Sequence, residues 1–325
     1  MVRPLKKDIN FLGKRKLFFA LSLALILLAI ASILIRGLNF GIDFVGGTSI
    51  TFSDTGEITT EQIRAAFEEA GVDSPTVQTT SDTGASTRGF IVRISTTDAA
   101  EAYAYVDAVV ASLGLEEAEE APMVTTIGPG WGAEVTRTSA IAFAVAIALI
   151  IAYIAIRFEY KMSLVAILAL IHDLIIIVGI YALFGREITP NVVAALLTIM
   201  GYSMYDTVVV FHRINDNYAT TKNHSFITVA NHSINQVFMR TVNTLLTSLV
   251  PILAMLIFGG VTLQDFAFAM SIGLVLGSYS SIMVATPLFA LWKQREPKYR
   301  KLYEKYGEGI GSFTLAENLQ DRQTS

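Results

Sequence analysis

Cysteine is absent from the 325 residues. That removes a disulfide scaffold, a Cys-ligated zinc site, an iron–sulfur cluster and a thiol nucleophile, and it leaves the redox compartment unread. Histidine is scarce, with four copies. Charge is scarce as well: Asp, Glu, Lys and Arg make up 16%, against roughly 25% in a soluble domain. Too few charges are present to coat a water-soluble particle of this size. Disorder is excluded, because it needs low hydrophobicity and high charge, whereas 53% of this chain is apolar. The net charge of -4 comes with no basic stripe, which argues against nucleic acid. With a mean hydropathy of +0.53, what remains is an integral membrane protein.

A helical span needs about 20 mainly apolar residues. Six segments qualify: Leu17–Ile35, Ser139–Ile156, Met162–Phe184, Val192–Phe211, Val242–Phe258 and Phe266–Trp292. The last two are the most polar. The first is expected to be a membrane anchor and not a cleaved leader, since its apolar run exceeds the 7–15 residues of a signal core and no small-x-small site follows. The first 16 residues hold six Lys/Arg, and the tail after Trp292 is also basic. The loops at 185–191 and 259–265 hold one basic residue, Arg186. The positive-inside rule then places both termini in the cytoplasm.

Residues 37–133 form one long loop on the outer side, with 15 Asp/Glu against three Lys/Arg. Its length is that of a domain and not of a linker. The pattern predicts strands at Thr48–Phe52, Val77–Thr80, Phe90–Ser95 and Met123–Ile127. It predicts helices at Thr59–Ala70, with Thr59 and Gln62 at capping-box spacing, and at Asp98–Leu113. Glycines 71 and 114 stop the two helices. The order β-α-β-β-α-β is the ferredoxin-like arrangement, which by itself assigns no function. The expected domains are thus 1–36 (N-terminus and first span), 37–133 (outer domain), 134–292 (five-span bundle) and 293–325 (cytoplasmic tail).

A carboxylate inside the hydrocarbon costs several kcal/mol, so it faces a partner or a water path. Asp173 lies in the third span beside His172, and Asp206 in the fourth. Thr198, Tyr202 and Asp206 recur every four residues and make one polar stripe. The fifth helix carries Arg240, Thr244, Thr247, Ser248 and Pro251 on one side. Spans four and five run in opposite directions, which puts Asp206 and Arg240 at similar depth. Such a pair can bind and release a proton, because burial and the guanidinium act on the carboxyl in opposite senses. A static interhelical ion pair is the competing reading. Asp173 reads as a structural hydrogen-bond acceptor or a second polar position of the path, and His172 as packing or a polar contact. A metal site is not expected, since no second ligand stands at i+3 or i+4. Gly273 and Gly277 have helix-packing spacing.

These residues resemble the SecF family, the smaller membrane subunits of the SecDF protein-export component, within the RND superfamily. The resemblance rests on Gly41-Ile-Asp43-Phe-Val-Gly46-Gly47-Thr48 after the first span, and on Arg157-Phe-Glu-Tyr160 followed by Ile171-His172-Asp173. Gly201-Tyr-Ser-Met-Tyr-Asp206-Thr-Val-Val-Val-Phe211, Ser233-Ile-Asn235-Gln236 and Arg240-Thr-Val-Asn-Thr244 complete it. It implies an accessory subunit in the prokaryotic inner membrane, paired with SecD and working at the SecYEG translocon. Such a pair would use protons to pull unfolded preprotein outward, with no cofactor and no metal. On this match Asp206, Arg240 and, less directly, Asp173 take the proton-relay positions, and Gly41, Asp43, Gly46 and Gly47 form the structural motif. The family usually has an acid where His212 stands, which bears on the inner end of the path. Gly46-Gly47 permits close backbone approach, and a hinge reading is compatible with that.

Three other readings are weighed against it. A scaffold that stabilises SecD would tolerate loss of Asp206. A small-molecule or lipid exporter subunit would need a second six-span half. An intramembrane enzyme built on Ser203 and His212 fails on distance, since nine residues of helix separate them by roughly 13 Å.

Overall fold

The computed structural model describes residues 8–52, 58–81, 88–115, 121–220 and 224–308. The basic leader at Arg3, Lys6 and Lys7 and the tail beyond residue 308 lie outside the described residues. Among the described residues, six helices are long and apolar enough to cross a membrane. They are α1 (Arg15–Arg36), α5 (Pro129–Arg157), α6 (Tyr160–Phe184), α7 (Pro190–Thr220), α8 (Phe226–Phe258) and a sixth in two parts. That sixth runs as α9 (Val261–Ser280), a π-helical turn (Ser281–Ala285) and α10 (Thr286–Gln294). All six expected spans fall inside these helices. The observed helices run further, because each has polar turns that extend past its apolar stretch. α8 begins 16 residues before the expected span, with Asn231, His232, Ser233 and Asn235 buried in its first turns.

Those early turns of α8 hold the segment that leads into α1. Asn231 Oδ1 accepts from the backbone N–H of Phe11 (2.9 Å) and Leu12 (3.1 Å). Asn235 Oδ1 accepts from that of Ile9 at 2.7 Å. Phe11 and Leu12 then enter the apolar core. A last helix, α11 (Pro297–Tyr306), packs beside them. Its basic residues read as tail, although Tyr299, Leu302, Tyr303 and Tyr306 recur at helical spacing.

Between α1 and α5 lie β1 (Asn39–Phe40), α2 (Ile42–Val45), β2 (Gly47–Phe52), α3 (Thr60–Glu69), β3 (Thr76–Ser81), β4 (Arg88–Ile94), α4 (Ala99–Leu113) and β5 (Met123–Ile127). Four strands form one antiparallel sheet in the order β3-β4-β2-β5. Thr59 and Gln62 close the expected capping box, and Gly114 ends α4 in the left-handed region. The core comes from alternate residues of the strands and one face of each helix: Ile50, Phe52, Val92 and Ile94 meet Ile63, Phe67, Val106 and Val109.

This unit meets the helix bundle through α2, which packs closely on α5 at Gly132, and through β1. β1 pairs in parallel with β6 (Glu187–Ile188), which links α6 to α7. The glycine pair then turns the chain into β2. Gly46 and Gly47 have φ of +79° and +125°. A Cβ on Gly47 would stand 2.7 Å from the Ile94 carbonyl oxygen, so no other residue fits without moving β4. Behind the turn, Arg93 of β4 forms an ion pair with Glu187, which is 3% exposed. Gln78 of β3 donates to the same carboxylate at 3.3 Å. Burial draws the Arg93 guanidinium down to about 10, opposed by Asp265 and Asp43. It therefore stays charged at neutral pH, and the pair is ionic.

Removing one partner of such a pair leaves the other buried and uncompensated, at about 3–5 kcal/mol. Glu187→Ala should therefore lower the thermal midpoint of the purified protein sharply. The double substitution Arg93→Met, Glu187→Leu should recover most of the loss.

Candidate functional site

The polar groups inside the bundle are organised by one close helix contact. A Cβ on Gly277 of α9 would stand 2.9 Å from Ser203 Cβ of α7, and one on Gly273 would stand 2.3 Å from Ile199. The small-residue spacing is thus an internal contact of α9 on α7. It sets Ser278 and Ser280 of the serine run that follows against the two buried carboxylates, and Ser281 against Thr207.

Asp173 of α6 is fully buried, and both of its oxygens are used. Oδ1 lies 2.9 Å from His172 Nδ1. Oδ2 accepts from Ser203 Oγ and from Ser280 Oγ, each at 2.7 Å. Three helices, α6, α7 and α9, therefore meet on one side chain. Of the two readings of His172, packing or a polar contact, the structure shows the polar contact: the ring is the carboxylate's direct partner. Its Nε2 is buried with no partner among the described residues.

Asp206 of α7 is 4% exposed. It accepts one hydrogen bond, from Ser278 Oγ at 3.2 Å. One residue on, Thr207 shares a hydrogen bond with Ser281 at 2.8 Å. The two carboxylates thus face the same stretch of α9, and Asp173 is by far the better satisfied.

Arg240 sits elsewhere. It is exposed on α8, its Nη2 donates to the Tyr205 hydroxyl at 2.5 Å, and its guanidinium lies over that ring at 5.6 Å. Among the described residues no ion pair joins it to Asp206. The helices are antiparallel as expected: Tyr202 reaches Ser248 at 3.4 Å and Asn217 reaches Ser233 at 2.8 Å. Counting from the Tyr202–Ser248 level, Asp206 stands opposite Thr244. Arg240 is then one turn further, about 6 Å along the axis. Thr198, Tyr205, Arg240, Asn243 and Thr247 are exposed on this side of the chain, so a polar seam in the membrane lacks a cover.

The remaining candidates are peripheral to the carboxylates. Gly41 donates its N–H to the Ile188 carbonyl at 3.0 Å. Gly41, Asp43, Gly46 and Gly47 all belong to the joint with the sheet unit. His212 is exposed, with Nδ1 2.9 Å from Asp216 Oδ2. Ser203 donates to Asp173 and not to a histidine, so it has no activating base. Among the described residues no group of three His, Cys, Asp or Glu could hold a metal. Sequence reasoning missed Ser278 and Ser280 as carboxylate donors and Ser281 as the partner of Thr207. The available signal was a serine run next to the glycine pair in an apolar helix.

Comparison with known proteins bears on the whole chain. Residues 108–295 match the family described as protein export membrane protein SecD/SecF, C-terminal. Residues 31–53 match the SecD/SecF GG motif. The chain is 34% identical to protein translocase subunit SecF of Streptomyces coelicolor, over 96% of this chain and 85% of that one. It is 36% identical to subunit SecF of Mycobacterium tuberculosis, over 87% of this chain and 66% of that one. Its structure is similar to the crystal structure of SecDF, a translocon-associated membrane protein from Thermus thermophilus, with a TM-score of 0.80 at 35% identity. That match covers 90% of this chain and 40% of the other. The chain thus spans about two thirds of the mycobacterial relative and under half of SecDF.

Ser280→Ala and Ser203→Ala each remove one hydroxyl from the Asp173 carboxylate. Each is expected to cost about 1–2 kcal/mol, read as a lower thermal midpoint in detergent. The double variant should lose more than either.

Proposed function

This chain belongs to the SecF family of SecD/SecF protein-export membrane proteins, and on that premise we propose that it is a proton-driven accessory subunit of the Sec translocase. It works with SecD in the late stage of preprotein export, at the SecYEG translocon. Asp206 is the carboxylate that takes up and releases the proton. The observation that carries this is its bonding: it is buried in the bundle with one long hydrogen bond, whereas Asp173 nearby has three. A carboxylate held that loosely gains most from neutralisation when water is withdrawn. Arg240, one turn away and fixed on Tyr205, supplies positive charge when α7 and α8 shift. Asp173 is the second polar position of the path. Crossing the membrane field supplies about 2.3 kcal/mol per charge per 100 mV, enough to bias such a shift.

The SecD partner is supported by the SecDF relatives, of which this chain covers 39% in the Thermus thermophilus case. It is supported too by the uncovered polar seam of α7 and α8, which hydrocarbon does not solvate. We read the sheet unit as a ferredoxin-like domain on the outer side of the inner membrane, with both termini in the cytoplasm. Its strand order β3-β4-β2-β5 and its two helices support that reading. The domain limits proposed are 1–36, 37–133, 134–292 and 293–325. The chain is an accessory subunit and not an enzyme, which fits relatives named as translocase subunits.

A scaffold role is the second reading, and the saturated bonds of Asp173 are what favour it. An exporter of small molecules or lipids has no such observation behind it. Asp206→Asn separates the two readings. With SecD still co-purifying, export driven by the proton gradient should fall to the level seen without the gradient. Arg240→Ala should follow it. Normal export with SecD retained would make the pair structural and the chain a scaffold.

A further inference from the structure

Beside the carboxylates lies an apolar cavity of about 300 Å³. Phe19, Ser22 and Leu23 of α1, Leu168 of α6 and Leu288 of α10 line it, together with His172. The imidazole is 6% exposed. Its Nδ1 edge is committed to Asp173, and the opposite edge, Nε2, is buried without a partner among the described residues. An orphaned ring nitrogen in a membrane interior is costly, and here it belongs to a residue that borders open space. The π-helical turn Ser281–Ala285 forms part of the same wall. π-Turns inside α-helices often mark functional sites.

We propose that His172 and Asp173 form one proton-holding unit, with His172 Nε2 as its port to the cavity between α1, α6 and α10. The bonding dictates where the proton goes. With Asp173 ionised, Oδ1 receives the Nδ1 hydrogen and Oδ2 receives two hydroxyl hydrogens, so neither oxygen is open. A neutral imidazole hydrogen-bonded to an ionised carboxylate carries a net charge of minus one in a low-dielectric site. Adding one proton forms an Nε2–H bond and brings the unit to neutrality, which the surroundings favour. The proton comes from a water or hydronium entering the cavity and returns to water the same way. The alternative placement, a protonated Asp173 beside an Nε2–H imidazole, exchanges through the same nitrogen.

Other charged groups do not compete for this position. On α7, Asp206 turns to Ser278. On α9, Tyr279 meets Ser22 Oγ at 3.0 Å and the Phe18 carbonyl at 3.1 Å. From α1 the facing polar group is Ser22, and the charges of α1, α5 and α10 stand near their helix ends. The unit is thus a second proton position, separate from Asp206 but tied to it through the serines of α9. Its use in export rests on the proton-driven reading above; its capacity to hold a proton does not.

The test is pH-dependent modification by diethyl pyrocarbonate, which acylates unprotonated imidazole nitrogen. The full chain is labelled in native membranes with its partner, and each histidine is read by mass spectrometry. His172 should react at pH 8 and at least tenfold less at pH 5.5. In Asp173→Asn, which lacks the counter-charge, labelling at pH 5.5 should stay within about twofold of that at pH 8. Where that variant fails to accumulate, the wild-type profile decides. A His172 that never reacts while exposed His212 does, or one that reacts equally at both pH values, overturns the proposal. So does a fall in labelling that Asp173→Asn leaves intact. In cells, His172→Gln should slow gradient-driven export several-fold, and unchanged export would overturn the link to transport. An Asp206→Asn chain with normal export and an unchanged His172 profile would sink the proton-driven reading alone.

Discussion

Everything polar in the bundle depends on one constraint: hydrocarbon offers no hydrogen bonds, so each buried polar group must find its partner inside the protein. The chain meets it with the crossing of α9 on α7 at Gly277, where any side chain would press on Ser203. That approach is what lets Ser278 and Ser280 reach Asp206 and Asp173, and Ser281 reach Thr207. A larger residue at 277 would separate the helices and strand two carboxylates together. The glycine and the serines are therefore one device: closeness from the first, donors from the second.

The same bundle is anchored at both ends. At one end Asn231 and Asn235 bind the backbone that leads into α1, and Lys161 and Glu296 pair at 2.7 Å. At the other, Glu187 fastens the sheet unit, and its neighbour Arg186 pairs with Asp265 at the start of α9 at 3.0 Å. Tyr181 donates to the Asp265 carbonyl at 2.8 Å. A displacement of α9 thus has a direct mechanical route to Arg93 and the four-stranded sheet. Asp206 and Asp173 bond to the same helix, α9, whose first turn is held by Arg186 and Tyr181.

Much of this was legible in the sequence, for physical reasons. Span existence follows from long apolar runs, and all six were readable. The sheet unit was readable because alternation, a capping box at Thr59 and stop glycines at 71 and 114 act locally. Asp173 and Asp206 stood out because charge is rare in such helices. Partners were harder to see, because they come from residues distant in the chain. Asp173 finds Ser280, 107 positions away, and no periodicity encodes that. That His172 would make a polar contact was readable, but its partner was not, because adjacent side chains on a helix usually splay apart and here the ring bonds Asp173. Depth counting put Arg240 level with Asp206; the structure sets it one turn further, about 6 Å along the axis, with its donor on Tyr205. The short β1–β6 pairing was invisible for lack of any hydrophobic pattern, whereas α11 was overlooked although Tyr299, Leu302, Tyr303 and Tyr306 recur at helical spacing.

The central claim is that carboxylates within this bundle change protonation state. The most direct measurement is labelling with a hydrophobic carbodiimide, which attacks protonated carboxyl groups inside membranes, followed by mass spectrometry of the full chain with its partner. The account predicts an adduct at Asp206 that grows as pH falls and is suppressed at alkaline pH, while Asp265 and Glu187 outside the bundle core stay unlabelled. An Asp206 that remains unlabelled at every pH, in protein that is folded and holds its partner, would contradict it and make the buried carboxylate a static element of packing.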